Sequence, residues 1–170
     1  MKFKGEIQPY KSPTWAAHLI IPDKIAAHFN KAGIKRLVVK INNTVEYPAA
    51  LMSTGKGGFF VHVNKENRKK LGIDVGDKVE VELVEDKSKY GMPMPDEFQE
   101  LLYQDPEGDK LFHGLTPGKQ RSLLHMIGKP KSVDIKIRKG LIVLEYLKEH
   151  GGKVDFPTLN QAFKDGKDMF

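Results

Sequence analysis

The chain alternates apolar and polar residues with a period of two through Val79-Glu80-Val81-Glu82-Leu83, the signature of a strand that buries one face. Gly76-Asp77 predicts the turn leading into it, because Gly accepts positive φ and Asp bonds its neighbouring backbone. Just upstream, Phe59 to Val63 reads as a second strand, and Asn64 supplies an N-cap for a short helix through Arg68 to Leu71. The unit is therefore strand, short helix, glycine turn, strand. A shift of 42 positions lays it over Leu19 to Ile41: Ile21 falls on Val63, Pro22 on Asn64 and Phe29 on Leu71. Leu37, Val39 and Ile41 then fall on Val79, Val81 and Leu83, so the pattern predicts an internal duplication.

The same signals extend along the first half. Residues 2 to 8 form a first strand with Phe3, Gly5 and Ile7 on one side, and Trp15 to Ile21 a second that Pro22 ends. Asp23 to Lys31 is a helix with Ile25 and Phe29 inward, closed near Gly33. Arg36 to Ile41 returns as a strand, Asn42-Asn43 turns, and Val45 to Leu51 pairs back.

From Glu85 to Pro95 the sequence loses both periods, which marks a boundary. Four helices are expected after it. Asp96 caps the first, with Phe98, Leu101 and Leu102 as its apolar stripe, and Asp105-Pro106 opens the second, ended by Gly114. Thr116-Pro117 opens the third, carrying Leu123, Leu124 and Ile127 as far as Gly128. Ser132 caps the fourth, whose Ile137, Leu141, Leu144 and Lys148 share a stripe before Gly151-Gly152. The expected organisation is a small β-barrel domain over 1–88, a helical domain over 95–152 and a C-terminal tail over 153–170.

The repeated unit resembles the half-barrel repeat of AbrB/MazE-type double-split barrels, in which swapped units from two chains build one barrel. Both copies lie here in one chain, so the resemblance implies a barrel completed within a monomer. The same stretch is similar to the small barrel domain of the bacterial YdeI/OmpD-associated, bacteriocin-protection-like proteins. Leu115-Thr116-Pro117-Gly118-Lys119-Gln120-Arg121 resembles the signature that opens the long helical segment of that family. Downstream, Lys131 matches the family's lysine and Arg138-Lys139 its basic pair, whereas Pro130 replaces an alanine and Ile135-Lys136 stand where Thr-Arg is expected. The fold class implied is α+β: an N-terminal double-split β-barrel with an internal pseudo-two-fold repeat, followed by a small helical domain.

Charge narrows the function. The 170 residues carry a net +6, and all of it lies in residues 1 to 90. In the neutral remainder the signs separate: residues 91 to 117 hold six acids against one Lys, and residues 118 to 139 hold seven Lys and Arg against Asp134. Lys129 and Lys131 precede the helix that Ser132 caps, and Arg138 and Lys139 follow along it. These four are the candidate binding surface for a phosphate or carboxylate. The competing reading is that such cations glue their helix to the acidic segment Asp96 to Asp109.

Other chemistry finds less support. Met52 to Gly58 lacks the leading Gly and the Ser or Thr of a phosphate loop and reads as a wide turn relaxed at Gly57-Gly58. His18, His28, His62, His113, His125 and His150 show no metal-ligand spacing, and there is no cysteine. Neither a metal nor a cofactor is expected. With no leader or membrane-spanning run, the expectation is a cytoplasmic bacterial binding or stress-protection protein without catalytic activity, whose partner is a small anionic ligand or a protein. Two alternatives stand beside it: a nucleic-acid-binding regulator using AbrB-like half-barrels, and an enzyme with a site between barrel and helices.

Overall fold

A computed structural model describes residues 1–9 and 17–166. The expected start of the strand from Trp15 and the end of the expected tail lie outside the described residues. The chain forms two compact units, Met1–Lys87 and Ser88–Phe170.

In the first unit the order is β1 (Lys2–Glu6), β2 (Gln8–Pro9), β3 (Ala17–Ile21), α1 (Asp23–Lys31), β4 (Arg36–Ile41) and β5 (Val45–Ala50). Then come β6 (Met52–Ser53), β7 (Phe59–His62), α2 (Lys65–Leu71) and β8 (Lys78–Glu85). All strand pairs are antiparallel, in two four-stranded sheets ordered β1-β8-β4-β5 and β2-β3-β7-β6. Exchange β1 to β4 with β5 to β8, and each order reads the same from its other edge. The register carries the sequence offset as well: Leu19 faces Val61 and Lys40 faces Glu82, each pair 42 positions apart. A two-fold axis between duplicated units gives that arrangement.

Strand alternation sends Leu37, Val39 and Ile41, with Val79, Val81 and Leu83, into one core. Leu19, Ile21 and Val61 enter the same core from the second sheet, and Phe29 of α1 joins them. The two helices occupy equivalent places but start differently. Asn64 caps α2 by accepting the Asn67 N–H at 2.7 Å, whereas Pro22 at the matching position of α1 makes no side-chain cap. Asn42 and Asn43 both take positive φ in the β4–β5 turn. The expected first strand breaks at Ile7, beyond which β2 joins the other sheet. In the turn after β6 it is Gly55 and Gly57, not Gly58, that need positive φ. Gly58 instead exchanges hydrogen bonds with the Thr54 hydroxyl.

In the second unit, α3 (Asp96–Gln104), α4 (Pro106–His113), α5 (Pro117–Gly128) and α7 (Phe156–Asp165) pack around α6 (Val133–Glu149). Three corrections follow. Pro95, not Asp96, holds the cap position of α3, and Asp96 begins the first turn, where its carboxylate meets the positive helix end. The buried arc of α6 is wider than one stripe and centres on Gly140, Val143, Leu144 and Leu147, because neighbours press on it from several sides. A Cβ at Gly140 would lie 2.6 Å from Leu101 Cδ1 of α3, and one at Gly166 2.7 Å from Ile142 Cδ1. Finally, the stretch expected to be a tail carries α7. Asp155 caps it by accepting the Thr158 N–H at 3.0 Å, and Leu159 is fully buried in the helical core.

Candidate anion-binding site

The signature Leu115 to Arg121 has a mechanical explanation. Thr116 caps α5, Pro117 takes the first helical position without needing an N–H, and Leu115 is buried. The Gln120 amide donates to the carbonyls of Phe112, His113 and Leu115 at 3.2–3.3 Å, closing the end of α4. These residues fix the angle at which α5 leaves α4.

The structure divides the four candidate cations. Lys131 is exposed. Lys129, also exposed, lines a small cleft of 290 Å³ with His125, Lys136 and the Met92–Pro95 segment. Arg138 and Lys139 line a larger cleft between α6 and α7, of 690 Å³, together with Asn160 and Lys164. Its apolar wall is Ile135, Ile142 and Phe163. Lys139 is held firmly there: its Nζ donates to the Met126 carbonyl at 3.1 Å and lies 5.1 Å from the centre of the Phe163 ring. Met126 stands in the last turn of α5, where carbonyls lack helical partners, so the ammonium caps that helix. Burial pushes the Lys139 pKa down, and the nearby charge of Lys129 adds to the effect.

Two other lysines reach the acidic segment. Lys136 reaches Glu97 at 3.4 Å, and Lys148 bridges Glu145 at 2.6 Å and Asp105 at 2.9 Å. The Gly108 N–H and the Lys148 ammonium lower the Asp105 pKa, while Glu145 and Asp105 raise that of Lys148.

Two groupings escaped the sequence. Across β3 and β7, His18 sits opposite His62, with the Phe60 ring edge-on to His18 at 5.3 Å and the Tyr47 hydroxyl donating to the His62 carbonyl at 3.0 Å. Burial lowers both imidazole pKa values, and Arg68 and then His18 lower that of His62 further. In the helical unit, His113 Nδ1 lies 3.0 Å from both the Asp109 carboxylate and the Asp109 carbonyl, and its Nε2 2.7 Å from the Tyr90 hydroxyl. Both neighbours of Nδ1 are acceptors, so Nδ1 carries a proton, and in the neutral form of the ring Nε2 accepts from the Tyr90 hydroxyl. The relay ties the segment before α3 to α4. Asp109 and His113, four apart on a helix, were the available sequence signal, but Tyr90 comes from outside it. No group of His, Asp and Glu able to hold a metal occurs among the described residues.

The architecture defines a two-unit α+β protein with antiparallel sheets in one unit and a helical bundle in the other, the latter bearing a cation-lined cleft. Residues 92–149 match the family model described as "Bacteriocin-protection, YdeI or OmpD-Associated", and residues 3–83 match a "Domain of unknown function (DUF1905)". Residues 92–149 thus carry the domain of the YdeI/OmpD-associated family, and the domain of unknown function precedes it in the chain. No curated protein matches the chain.

Proposed function

We propose that this is a non-catalytic binding protein of the bacteriocin-protection type, monomeric and cytoplasmic, whose helical unit takes a small anionic ligand. The observation that carries the reading is the cleft between α6 and α7, which Arg138, Lys139 and Lys164 line with no carboxylate among the described lining residues. Of the four sequence candidates, Arg138 and Lys139 form the site, Lys129 supports it electrostatically, and Lys131 lies apart. The first unit is read as a double-split β-barrel closed within one chain. Its mirrored strand orders and the 42-residue register support that assignment and, with it, the monomer. No helix among the described residues is long and apolar enough to cross a membrane.

The outer face of the β1-β8-β4-β5 sheet favours this reading over a nucleic-acid regulator. Lys2 faces Glu82 and Lys4 faces Glu80 across the strands, so cations there are interleaved with carboxylates rather than massed for phosphates.

A thermal-shift panel of phosphates and carboxylates tests the proposal. Anions should raise the melting temperature of the wild type and not of Arg138→Glu, while Lys131→Glu should respond like wild type. Stabilisation that survives in Arg138→Glu would remove the site. Turnover of ester or phosphate reporter substrates that Tyr90→Phe abolishes would overturn the non-catalytic assignment. Light scattering checks the monomer, and cell fractionation the location.

A further inference from the structure

We infer that Lys139 is a nucleophilic amine, which captures small aldehydes reversibly as an imine in the cleft between α6 and α7. The capture shares its cleft with the anion-binding reading above but goes beyond it, because it depends on bond formation at one nitrogen rather than on the summed charge of the lining. Arg138 also lines the cleft but is already engaged in an interaction of its own, so it takes no part in the capture.

Three observations suit the nitrogen to that chemistry. Lys139 lines a cleft of 690 Å³, within the range of about 300–1,000 Å³ that small organic ligands occupy. Its Nζ is held in place by the Met126 carbonyl at 3.1 Å and by the Phe163 ring, whose centre is 5.1 Å away, so a long side chain needs little further ordering before attack. A neutral amine keeps the bond to Met126 with one N–H and still has a lone pair to offer. The surroundings, finally, work against the charged form. Ile135, Ile142 and Phe163 give the cleft an apolar wall, Lys164 lines it too, and no carboxylate is among the described lining residues to hold an ammonium charged. The Lys139 pKa is lowered accordingly, by burial first and by the charge of Lys129 second.

The step balances without a co-reactant. The Nζ lone pair attacks the aldehyde carbon, the carbonyl π pair moves onto oxygen, and solvent in the open cleft moves a proton from nitrogen to oxygen. Loss of water from that carbinolamine leaves C=N, so one amine and one aldehyde give one imine and one water with no change of oxidation state. The apolar wall receives the body of the aldehyde, and hydrolysis reverses the capture.

The test treats the full chain with limiting benzaldehyde, a probe without charge, fixes the imine with sodium cyanoborohydride and maps the label by peptide mass spectrometry. Lys139 should carry about tenfold more label than the exposed Lys131. Lys139→Arg keeps a cationic donor for the Met126 carbonyl and the Phe163 ring but cannot form the imine, so it should melt like wild type and lose the label without passing it to Lys164. Should that variant melt early, competition in the wild type decides instead: benzyl alcohol, which fits the wall but has no carbonyl, should suppress labelling at Lys139 and not at Lys131. Equal labelling of Lys139 and Lys131, preference for Lys164, or indifference to benzyl alcohol would each overturn the inference. Its failure is separable from that of the anion reading. Inorganic phosphate that raises the melting temperature while Lys139 labels no faster than Lys131 would sink the capture and leave the anion reading standing, and selective labelling without stabilisation by any anion would do the reverse.

Discussion

The two units solve the problem of charge in opposite ways. In the β unit, neighbouring strands bring Lys2 to Glu82 and Lys4 to Glu80, so a basic segment folds into a face where the signs alternate. In the helical unit, Lys136 and Lys148 are spent on Glu97, Asp105 and Glu145, and Arg138, Lys139 and Lys164 are gathered on one cleft. Net charge located by sequence segment is therefore a poor guide to where a surface is charged. Residues 1 to 90 hold the whole excess of +6, yet the concentrated cations belong to the neutral half. Pairing across strands is set by register, and it neutralises before any ligand arrives.

The comparison can be broken most forcefully in the cores. Phe112 and Leu83 are each fully buried, one in each unit. Phe112→Ala should cost about 3–5 kcal/mol and Leu83→Ala about 2–5 kcal/mol. Residue-resolved hydrogen exchange should show each loss in its own unit. Loss spread evenly over both would mean that the two cores unfold as one.

Acid should separate them next. His18 and His62 titrate below the ordinary imidazole range in the fold, so the folded state binds fewer protons than the unfolded one. Their stability is complete above about pH 6.5 and is lost as pH falls through the lowered folded values. In the helical unit the corresponding group is Asp105, whose depressed pKa places its loss below about pH 3.9. On acidification the β unit should weaken first, and His62→Gln should flatten that decline. Exchange rates followed against pH would refute this if both units declined together.

Smaller effects refine the contrast. Asn64→Ala and Asp155→Ala each remove a cap that accepts a backbone N–H and should cost about 1 kcal/mol in denaturant melts. Lys4→Ala, breaking a 4.0 Å pair between largely exposed partners, should change stability by less than about 1 kcal/mol. A larger loss would show that the alternating face contributes more than solubility.

What the sequence revealed follows the range of the forces involved. Asp23–Lys31 and Arg36–Ile41 were legible to the residue, since a proline, a glycine and a period of two or 3.6 act locally. So were the caps at Asn64, Asp105, Thr116 and Ser132. The wide buried arc of α6 was not, because it is imposed by four neighbouring helices. Nor was the division of the cation cluster, which depends on Lys139 turning toward the end of α5 rather than toward its sequence neighbours. The helix α7 announced itself with Asp155-Phe156-Pro157, the same cap-and-proline signal as Asp105-Pro106, but it lay beyond the family signature. His18 and His62 could have been paired only by laying the two repeats antiparallel against each other.

The pairing of β1 with β8 sets a schedule for the nascent chain. Lys2 meets Glu82 and Leu19 meets Val61, so the N-terminal unit closes its sheets only after residue 85 has left the ribosome. Until then its first strand has made no partner and its apolar face is open to chaperones. The helical unit waits over a shorter span, because α3 and α4 find their main partner, α6, by residue 149. Synthesis thus delivers first the part that must form last-to-first contacts, and the duplicated sheets pay in exposure time for their symmetry.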